Sequence, residues 1–210
     1  MKRLRIAATA LNQTPLDWDG NRNRIVDAIE RARADGAQVV CLPELCITGY
    51  GCEDAFHSPG TWRMALRVLD EVLPHTRGLC VSVGLPLYHG GAIYNGAALL
   101  VDGGLRGIVL KRNLAGDGIH YEPRWFKAWR DGVTANVEIG GAPVPIGDLM
   151  FDVGGLRLGF EICEDAWVHD RPGGALAQRG VDVILNPSAS HFAFAKKSVR
   201  ERFVLEGSRA

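Results

Sequence analysis

Apolar runs of strand length alternate with helical patterns along this chain. Residues 4–11 and 38–42 are apolar enough for buried strands, and between them apolar side chains recur on one face of a helix that ends at Asp35–Gly36. The same interleaving predicts strands over 78–88, 92–102, 105–111, 144–153, 156–162 and 181–185, and helices over 62–73, 172–179 and 196–209. Continuous apolar strands interleaved with helices are typical of an α/β protein whose mixed sheet is covered on both faces.

Glycine pairs divide the later strands into hairpins. Gly103–Gly104 and Gly154–Gly155 each separate two apolar runs, so the strands on either side of each pair are expected to be antiparallel neighbours. The segments 45–60, 113–130 and 186–190 are predicted loops, the first with a short helical piece. None of the glycine pairs has the Gly-x-Gly-x-x-Gly order of a phosphate-binding loop.

The composition fits one ordinary globular domain. The chain has 210 residues, of which 47% are hydrophobic and 23% charged, and 24 basic side chains balance 24 acidic ones. This balance, without a basic run, argues against nucleic acid or an anionic membrane surface as the main partner. No apolar run approaches the roughly 20 residues that cross a bilayer, and the N-terminal run is too short for a signal peptide.

The cysteine usage predicts a reducing compartment. The chain has five cysteines, an odd number that argues against a disulfide framework, and a cytoplasmic protein is expected. Cys41, Cys46 and Cys52 lie near His57, but they lack the paired Cys-x-x-Cys spacing of a structural zinc site. No metal site is predicted, and Cys41 and Cys46 are expected in the core.

Three chemically reactive side chains follow the ends of predicted strands. Glu44 comes just after the second strand, Lys111 ends the second arm of the first hairpin, and Cys163 directly follows the strand after the second hairpin turn. Strand ends open into the crevice where an α/β sheet holds its ligands. These side chains are therefore expected near one another.

The three residue types can together carry out acyl transfer. A deprotonated cysteine is a nucleophile, a carboxylate can take up and return its proton, and a lysine can stabilise the oxyanion of a tetrahedral intermediate. A helix predicted to begin near Cys163 would add a positive dipole end that favours the thiolate. The alternative is that Cys163 is a small apolar residue that closes a core strand, since free cysteine is often buried.

The chain resembles the nitrilase superfamily of carbon–nitrogen hydrolases around all three residues. The matching segments are 41–50, 109–114 and 160–167, with further likeness at 11–13, 19–21, 36–37 and 94–95. The resemblance covers nearly the whole chain. It implies an α-β-β-α four-layer sandwich with mixed sheets, and a Glu-Lys-Cys triad formed by Glu44, Lys111 and Cys163.

Within the superfamily, the chain is most similar to the glutaminase domains of glutamine-dependent NAD synthetases. The segments that carry this likeness are 114–126, 163–167 and 186–190. The resemblance implies that L-glutamine is hydrolysed through a cysteine thioester, and that the ammonia passes to a synthetase domain that amidates deamido-NAD to NAD. It implies no cofactor for the hydrolysis, and ATP and Mg²⁺ only for the synthetase domain.

The same resemblance assigns further site residues. Glu122 matches a second glutamate that supports the triad, and the alternative for its side chain is an ion pair with Arg124 or another surface base. Ser190, Lys196 and Glu164 match substrate-binding positions.

Two features depart from the family pattern. Asp117 stands where some members have a substrate-contacting tyrosine, so the recognition of glutamine is expected to differ. The last strands of the sandwich and any synthetase domain are expected to be absent, which would make residues 1–210 a truncated nitrilase-like domain. A homo-oligomer built across the sandwich is also expected from the resemblance.

Other interpretations compete with this one. Trp125 and Trp129, near His120, are interpreted as walls of the active-site entrance rather than a base-stacking platform, because no basic patch accompanies them. The alternative functions are an aliphatic amidase or nitrilase acting on another small amide or nitrile, and a non-catalytic interaction module. An assembled site is expected to depress the pKa of Cys163 and to speed its alkylation.

Overall fold

The computed structural model describes residues 3–208. Their strands are β1 (Ile6–Ala8), β2 (Val39–Cys41), β3 (Cys80–His89), β4 (Ala92–Val101), β5 (Gly104–Leu110), β6 (Thr134–Ile139), β7 (Ala142–Gly147), β8 (Phe151–Val153), β9 (Leu156–Phe160) and β10 (Val183–Leu185). Their helices are α1 (Trp18–Ala34), α2 (Pro59–Val72), α3 (Glu122–Trp125), α4 (Pro172–Gln178) and α5 (Lys196–Gly207), with short 3₁₀ turns at Glu53–His57, Leu73–Thr76 and Cys163–Ala166. Residue 209, with which the last predicted helix ends, lies outside the described residues.

Seven strands form a mixed sheet in the order β1-β2-β3-β4-β5-β7-β6. β1, β2 and β3 run parallel, with Ile6 opposite Val39 and Val39 opposite Cys80. β3, β4 and β5 are antiparallel neighbours, as the predicted hairpin requires, and β7 is parallel to β5. Because β2 and β5 both run in the direction of β3, their carboxyl ends lie at the same edge of the sheet.

A three-stranded sheet, in the order β10-β9-β8, covers one face of the larger sheet. Leu158 and Phe160 of the small sheet share a buried cluster with Leu99 and other residues of the large one. On the outer face of the small sheet, Gly159 leaves room for Leu176 of α4, since a Cβ there would lie 2.7 Å from a Leu176 methyl group. Helices α1 and α2 cover the other face of the large sheet. The layers therefore follow the predicted α-β-β-α order.

Successive residues of the central strands face different layers. Val40 and Val81 lie in the cluster with the helices, whereas Val39 and Cys80 lie in the cluster between the sheets. Both faces of these strands are thus buried, which explains their uninterrupted apolar sequences. Helix α1 buries one stripe of its surface, at Asn21, Ile25, Ile29 and Ala32.

Several predicted elements differ from the structure. The strand predicted over 144–153 is wrong as a single element, because the chain leaves the large sheet after β7 and joins the small sheet as β8. Strand β6 is absent from the predicted strands. Its side chains alternate between exposed and half-buried positions at the sheet edge, so it lacks the apolar run of a central strand. Helix α2 begins at Pro59 rather than at residue 62, and proline is favoured in a first helical turn.

Candidate active site

Glu44 lies in a tight turn after β2. The next residue, Leu45, has a left-handed φ of 49°, and Gly84 of β3 approaches the turn closely. A Cβ on Gly84 would lie 2.3 Å from the Leu45 nitrogen and 2.9 Å from the carbonyl carbon of Glu44. The contact between strand and turn therefore fixes the backbone that carries the Glu44 carboxylate.

Lys111 follows β5 and is fully buried. Its Nζ donates to Oε1 of Glu44 at 2.7 Å and to both carboxylate oxygens of Glu122 at 2.8 Å. Its backbone N–H donates to the carbonyl of Asn95 on β4 at 2.9 Å. The structure thus brings three of the predicted site residues into one buried cluster.

Glu122 begins the short helix α3 and is also buried. Its Oε2 accepts from the backbone N–H of Ala115 at 2.7 Å, and its Oε1 accepts from the hydroxyl of Tyr50 at 3.0 Å. Arg124 instead pairs with Asp54, with Nε 2.6 Å from Oδ1. The alternative of an ion pair between Glu122 and Arg124 is therefore wrong.

Asn95 belongs to the same cluster, although it is not among the site residues predicted from the sequence. Its Nδ2 donates to Oε1 of Glu44 at 2.8 Å and to Oε1 of Glu122 at 3.4 Å. Its Oδ1 is buried and has no hydrogen-bond partner among the described residues. The Tyr94–Asn95 pair matches the family pattern, but only the pairing of β4 with β5 shows that Asn95 lies beside Lys111.

Cys163 begins a single 3₁₀ turn rather than an α-helix. Its φ is 47°, and its N–H donates to the carbonyl of Pro187 at 3.0 Å. The pKa of its thiol is raised to about 12, mainly by burial and secondly by the negative charge of Glu44. The positive charge of Lys111 acts against this rise. The expectation of a depressed pKa is thus wrong, because a buried thiol beside carboxylates and with only one helical turn stays neutral.

Asp165 connects the turn of Cys163 to the end of β5. Its carboxylate is 2% exposed and accepts from the backbone N–H groups of Ile162, Arg112 and Asn113 at 2.9, 3.2 and 2.7 Å. The Asn113 side-chain amide adds a bond at 3.0 Å. Asp165 therefore fixes the distance between the cysteine turn and the segment that carries Lys111, a role that the sequence alone does not show.

Opposite charges compensate the burial of the cluster. Burial alone would lower the pKa of Lys111, but the charges of Glu44 and Glu122 outweigh it and raise that pKa. Burial and the charge of Glu44 raise the pKa of Glu122, while Lys111 acts against them. A fixed cation, a proton acceptor and a thiol are thus held together out of water, which is the arrangement that acyl transfer requires.

A family model for carbon–nitrogen hydrolases matches residues 5–205. The chain belongs to the carbon–nitrogen hydrolase family. This confirms the family that the three sequence motifs indicate, and the α-β-β-α layers agree with it.

Similar curated proteins are glutamine-dependent NAD(+) synthetases. That of Rattus norvegicus is 33% identical over 95% of this chain, and that of Oryza sativa subsp. indica is 35% identical over 95%. The matched part is 29% of each of these relatives, so the chain spans less than a third of their length.

Two solved structures superpose on nearly the whole of this chain. A glutamine-dependent NAD(+) synthetase from Cytophaga hutchinsonii superposes with a TM-score of 0.90 and 41% identity, over 98% of this chain and 34% of that one. An amidase from Nesterenkonia sp. superposes with a TM-score of 0.77 and 23% identity, over 97% of this chain and 71% of that one. The amidase supports the fold alone.

The loop after β10 closes over the carboxylate of this hydrolase. The N–H of Ala189 donates to Oε2 of Glu44 at 3.0 Å. Ser190, the next residue, is half-buried, and its carbonyl accepts from Arg200 at 3.5 Å. The loop thus places Ser190 near the cluster, and its contact with substrate stays a prediction.

Further charged side chains lie within electrostatic reach of the cluster. Burial raises the pKa of Glu164. The positive charges of Lys111 and Lys196 act against this rise, and the negative charge of Asp117 adds to it. Burial and the charge of Arg200 lower the pKa of Lys196, while the charge of Glu164 acts in the other direction. The Nζ of Lys196 also lies 5.4 Å from the ring centre of Trp167. Glu164 and Lys196 are therefore close to the thiol, and their roles in binding stay predictions.

A cavity of about 630 Å³ opens beside the cluster. Its lining includes Tyr50, His120, Trp125, Ala189 and His191. Two of these lining residues touch the cluster, because the Tyr50 hydroxyl donates to Glu122 and the Ala189 N–H donates to Glu44. Trp125 lines this cavity, and its interpretation as a wall of the active-site entrance stays a prediction.

Trp129 has a different position from the one predicted. Its ring packs edge-on against Tyr94, with centroids 4.9 Å apart, and its Nε1 donates to the carbonyl of Val133 at 2.8 Å. It borders the core next to the helices. Its backbone N–H donates to the carbonyl of Lys111 at 3.0 Å, but its ring packs on Tyr94 and does not line the cavity, so its interpretation as an entrance wall is wrong.

Within residues 3–208, no group of three or more His, Cys, Asp or Glu side chains is placed to hold a metal ion. Cys46 and Cys52 are buried, and their thiols donate to the carbonyls of Gly84 and Thr48 at 3.7 and 3.2 Å. Over the same residues, no helix is long and apolar enough to cross a membrane.

Proposed function

We propose that this carbon–nitrogen hydrolase cleaves the side-chain amide of L-glutamine through a thioester on Cys163. The proposal rests on the buried contact of Lys111 with Glu44 and Glu122, beside a thiol whose pKa responds to all three charges. The similarity to glutamine-dependent NAD synthetases supports glutamine as the substrate.

Acylation starts from a neutral thiol. Because the pKa of Cys163 is raised to about 12, its proton has to move to Glu44 as the sulfur attacks the amide carbon. The charge of Lys111 stabilises the oxyanion of the tetrahedral intermediate. Glu44 then gives the proton to the departing nitrogen, so that ammonia leaves and a γ-glutamyl thioester remains.

Water completes the cycle. Glu44 takes a proton from the water that attacks the thioester, and it returns that proton to the departing thiolate of Cys163. The γ-carboxylic acid that forms then ionises and gives its own proton to Glu44. Three donors keep Glu44 oriented for both steps, namely the Nζ of Lys111, the Nδ2 of Asn95 and the N–H of Ala189. Glu122 acts by holding Lys111 in place.

The charges around the cluster suit the α-amino-acid end of glutamine. Glu164 and Asp117 offer negative charge to the α-ammonium group, and Lys196 offers positive charge to the α-carboxylate. Ser190, in the loop that covers Glu44, offers a hydroxyl beside them. In this proposal, the Asp117 carboxylate replaces the tyrosine of other family members with a charge.

We extend the proposal to the use of the ammonia. A synthetase domain, in the same polypeptide or in a partner, would amidate deamido-NAD with ATP and Mg²⁺. The support is that the similar NAD synthetases continue well beyond the matched 29% of their length. A homo-oligomer follows from the same resemblance, and the five free cysteines favour a cytoplasmic location.

A panel of amides tests the substrate. Ammonia release is measured with L-glutamine, L-asparagine, acetamide and propionamide. We expect kcat/KM for L-glutamine to exceed that for the aliphatic amides by about a hundredfold, because those amides lack both charged groups. Faster release from the aliphatic amides would overturn the proposal in favour of an aliphatic amidase. No release from any amide by the folded protein would favour the interaction module.

A pair of variants tests the recognition. Lys196→Met removes the positive charge proposed for the α-carboxylate, and Glu164→Gln removes the negative charge proposed for the α-ammonium group. Both variants should raise KM for L-glutamine and leave the acetamide rate unchanged. A variant that lowers both rates equally would contradict its assignment to substrate recognition.

A further inference from the structure

The proposed reaction, on which this inference rests, releases one proton that has no place in the buried site. Amide and water give a carboxylate, ammonia and a proton, R–CONH₂ + H₂O → R–COO⁻ + NH₃ + H⁺. Ammonia that leaves uncharged, as a nucleophile for a second reaction must, does not carry this proton away. The proton therefore needs its own path from the buried carboxylates to solvent.

A chain of hydrogen bonds leads outwards from the cluster. Oε1 of Glu122 lies 3.0 Å from the hydroxyl of Tyr50, and that hydroxyl lies 3.4 Å from Nδ1 of His120. The other ring nitrogen of His120, Nε2, lies 2.9 Å from Nδ1 of His191. His120 is half-buried and His191 is exposed, so the chain runs from the fully buried cluster to the surface.

We propose that Tyr50, His120 and His191 form a proton relay that carries the product proton from Glu44 and Glu122 to solvent. Each member has an atom that can both accept and donate a proton, and the two nitrogens of His120 face opposite neighbours. Lys111 joins the start of the path, because its Nζ donates to both glutamates. A proton accepted by one member is matched by a proton passed to the next, and His191 finally gives one to water or buffer.

The surrounding charges fit this role. Burial and the charges of His191, Lys196 and Lys111 lower the pKa of His120, against the charge of Glu44. His120 is therefore neutral near pH 7 and able to accept a proton. Burial and the charge of Glu122 raise the pKa of Tyr50, so the phenol takes part only by gaining one proton as it loses another. The Nζ of Lys196 lies 3.4 Å from Nδ1 of His191, and His191 is exposed to the solvent that takes up the proton.

Buffer rescue tests the relay. Ammonia release from L-glutamine is followed for the wild type, His120→Ala and His191→Ala, in weak buffer with and without added imidazole. His75→Ala is the matched control, because His75 lies near Glu30, outside the cavity and the cluster. We expect about a tenfold lower kcat for His120→Ala in weak buffer, with an unchanged first turnover and recovery in imidazole. His191→Ala should show a smaller loss, since water can replace an exposed member, and His75→Ala should show none.

The outcomes separate the relay from the proposed function. Equal kcat values for His120→Ala and the wild type at every buffer concentration would overturn the relay alone. A loss that appears already in the first turnover and that imidazole does not restore would also overturn it, because it would show that His120 only supports the structure. A wild-type protein that releases no ammonia from L-glutamine would overturn the proposed function and the relay with it.

Discussion

The Nζ atom of Lys111 lies 2.7 Å from Oε1 of Glu44, and neither side chain has exposed surface. A second carboxylate, that of Glu122, lies 2.8 Å from the same nitrogen. One cation therefore compensates two buried anions. Such an arrangement is costly to disrupt, because removing one partner leaves uncompensated charge in a medium that solvates it poorly.

Lys111→Met should destabilise the fold. We expect a loss of about 3–5 kcal/mol in the free energy of unfolding, measured by urea denaturation near pH 7. Burial already raises the pKa of Glu122 against the charge of Lys111, so without the lysine this carboxylate must bind a proton in the folded state more readily than in the unfolded state. The loss should therefore be smaller at about pH 5 than at about pH 8.

The double variant Lys111→Met/Glu122→Gln is the matched control for this prediction. It removes one negative charge together with the positive one, so it should recover part of the lost stability. A double variant that is less stable than Lys111→Met, with the same pH dependence, would show that charge compensation does not explain the effect.

Gly84→Ala should move the turn that carries Glu44. The new methyl group would lie 2.3 Å from the Leu45 nitrogen and 2.7 Å from the Pro43 carbonyl oxygen, and both are backbone atoms that cannot move aside cheaply. We expect a destabilisation of about 1–3 kcal/mol and a lower rate of amide hydrolysis. Thermal unfolding and ammonia release measure the two effects.

Gly174→Ala provides the comparison. Gly174 lies inside α4, and no atom lies within 4 Å of the position that an alanine methyl group would take there. Alanine should therefore be neutral or stabilise the fold by about 0.5–1 kcal/mol. The contrast would fail if Gly84→Ala were as stable and as active as Gly174→Ala. That result would mean that the strand does not fix the turn.

The alkylation of Cys163 should depend steeply on pH in the absence of substrate. Burial and the charge of Glu44 raise the pKa of the thiol to about 12, and only the thiolate reacts. The rate with iodoacetamide should therefore rise about tenfold per pH unit from pH 7 to 10, without reaching a plateau. Mass spectrometry of the modified peptide separates Cys163 from the other cysteines. A plateau below about pH 8 would show that a thiolate already exists in the free protein.

The sequence predicts the parts of the site that follow strand ends. Glu44, Lys111 and Cys163 each come after an apolar run, and an apolar run is a local signal that needs no knowledge of the fold. Their motifs match one family, whose layered sheets place these ends together. The parallel direction of β2 and β5 confirms this placement for the glutamate and the lysine.

Other parts of the site depend on contacts between distant segments. Asn95 lies within a strand, and its family likeness does not show that its side chain contacts Glu44 and Glu122. Asp165 acts through backbone groups 52 and 53 residues away. The raised pKa of Cys163 results from its burial beside carboxylates. The local sequence, a strand end followed by a helical pattern, does not reveal this burial. Trp129 is misplaced for a similar reason, because its neighbour Tyr94 comes from β4.

The most direct test of the account is ammonia release from L-glutamine by the wild type, Cys163→Ala and Cys80→Ala measured side by side. Cys80 is buried between the two sheets, away from the cluster, and controls for the loss of a buried thiol. We expect release by the wild type and Cys80→Ala, and a decrease of about a thousandfold or more in Cys163→Ala. Release by Cys163→Ala at a rate close to that of Cys80→Ala would contradict the proposal that Cys163 is the nucleophile.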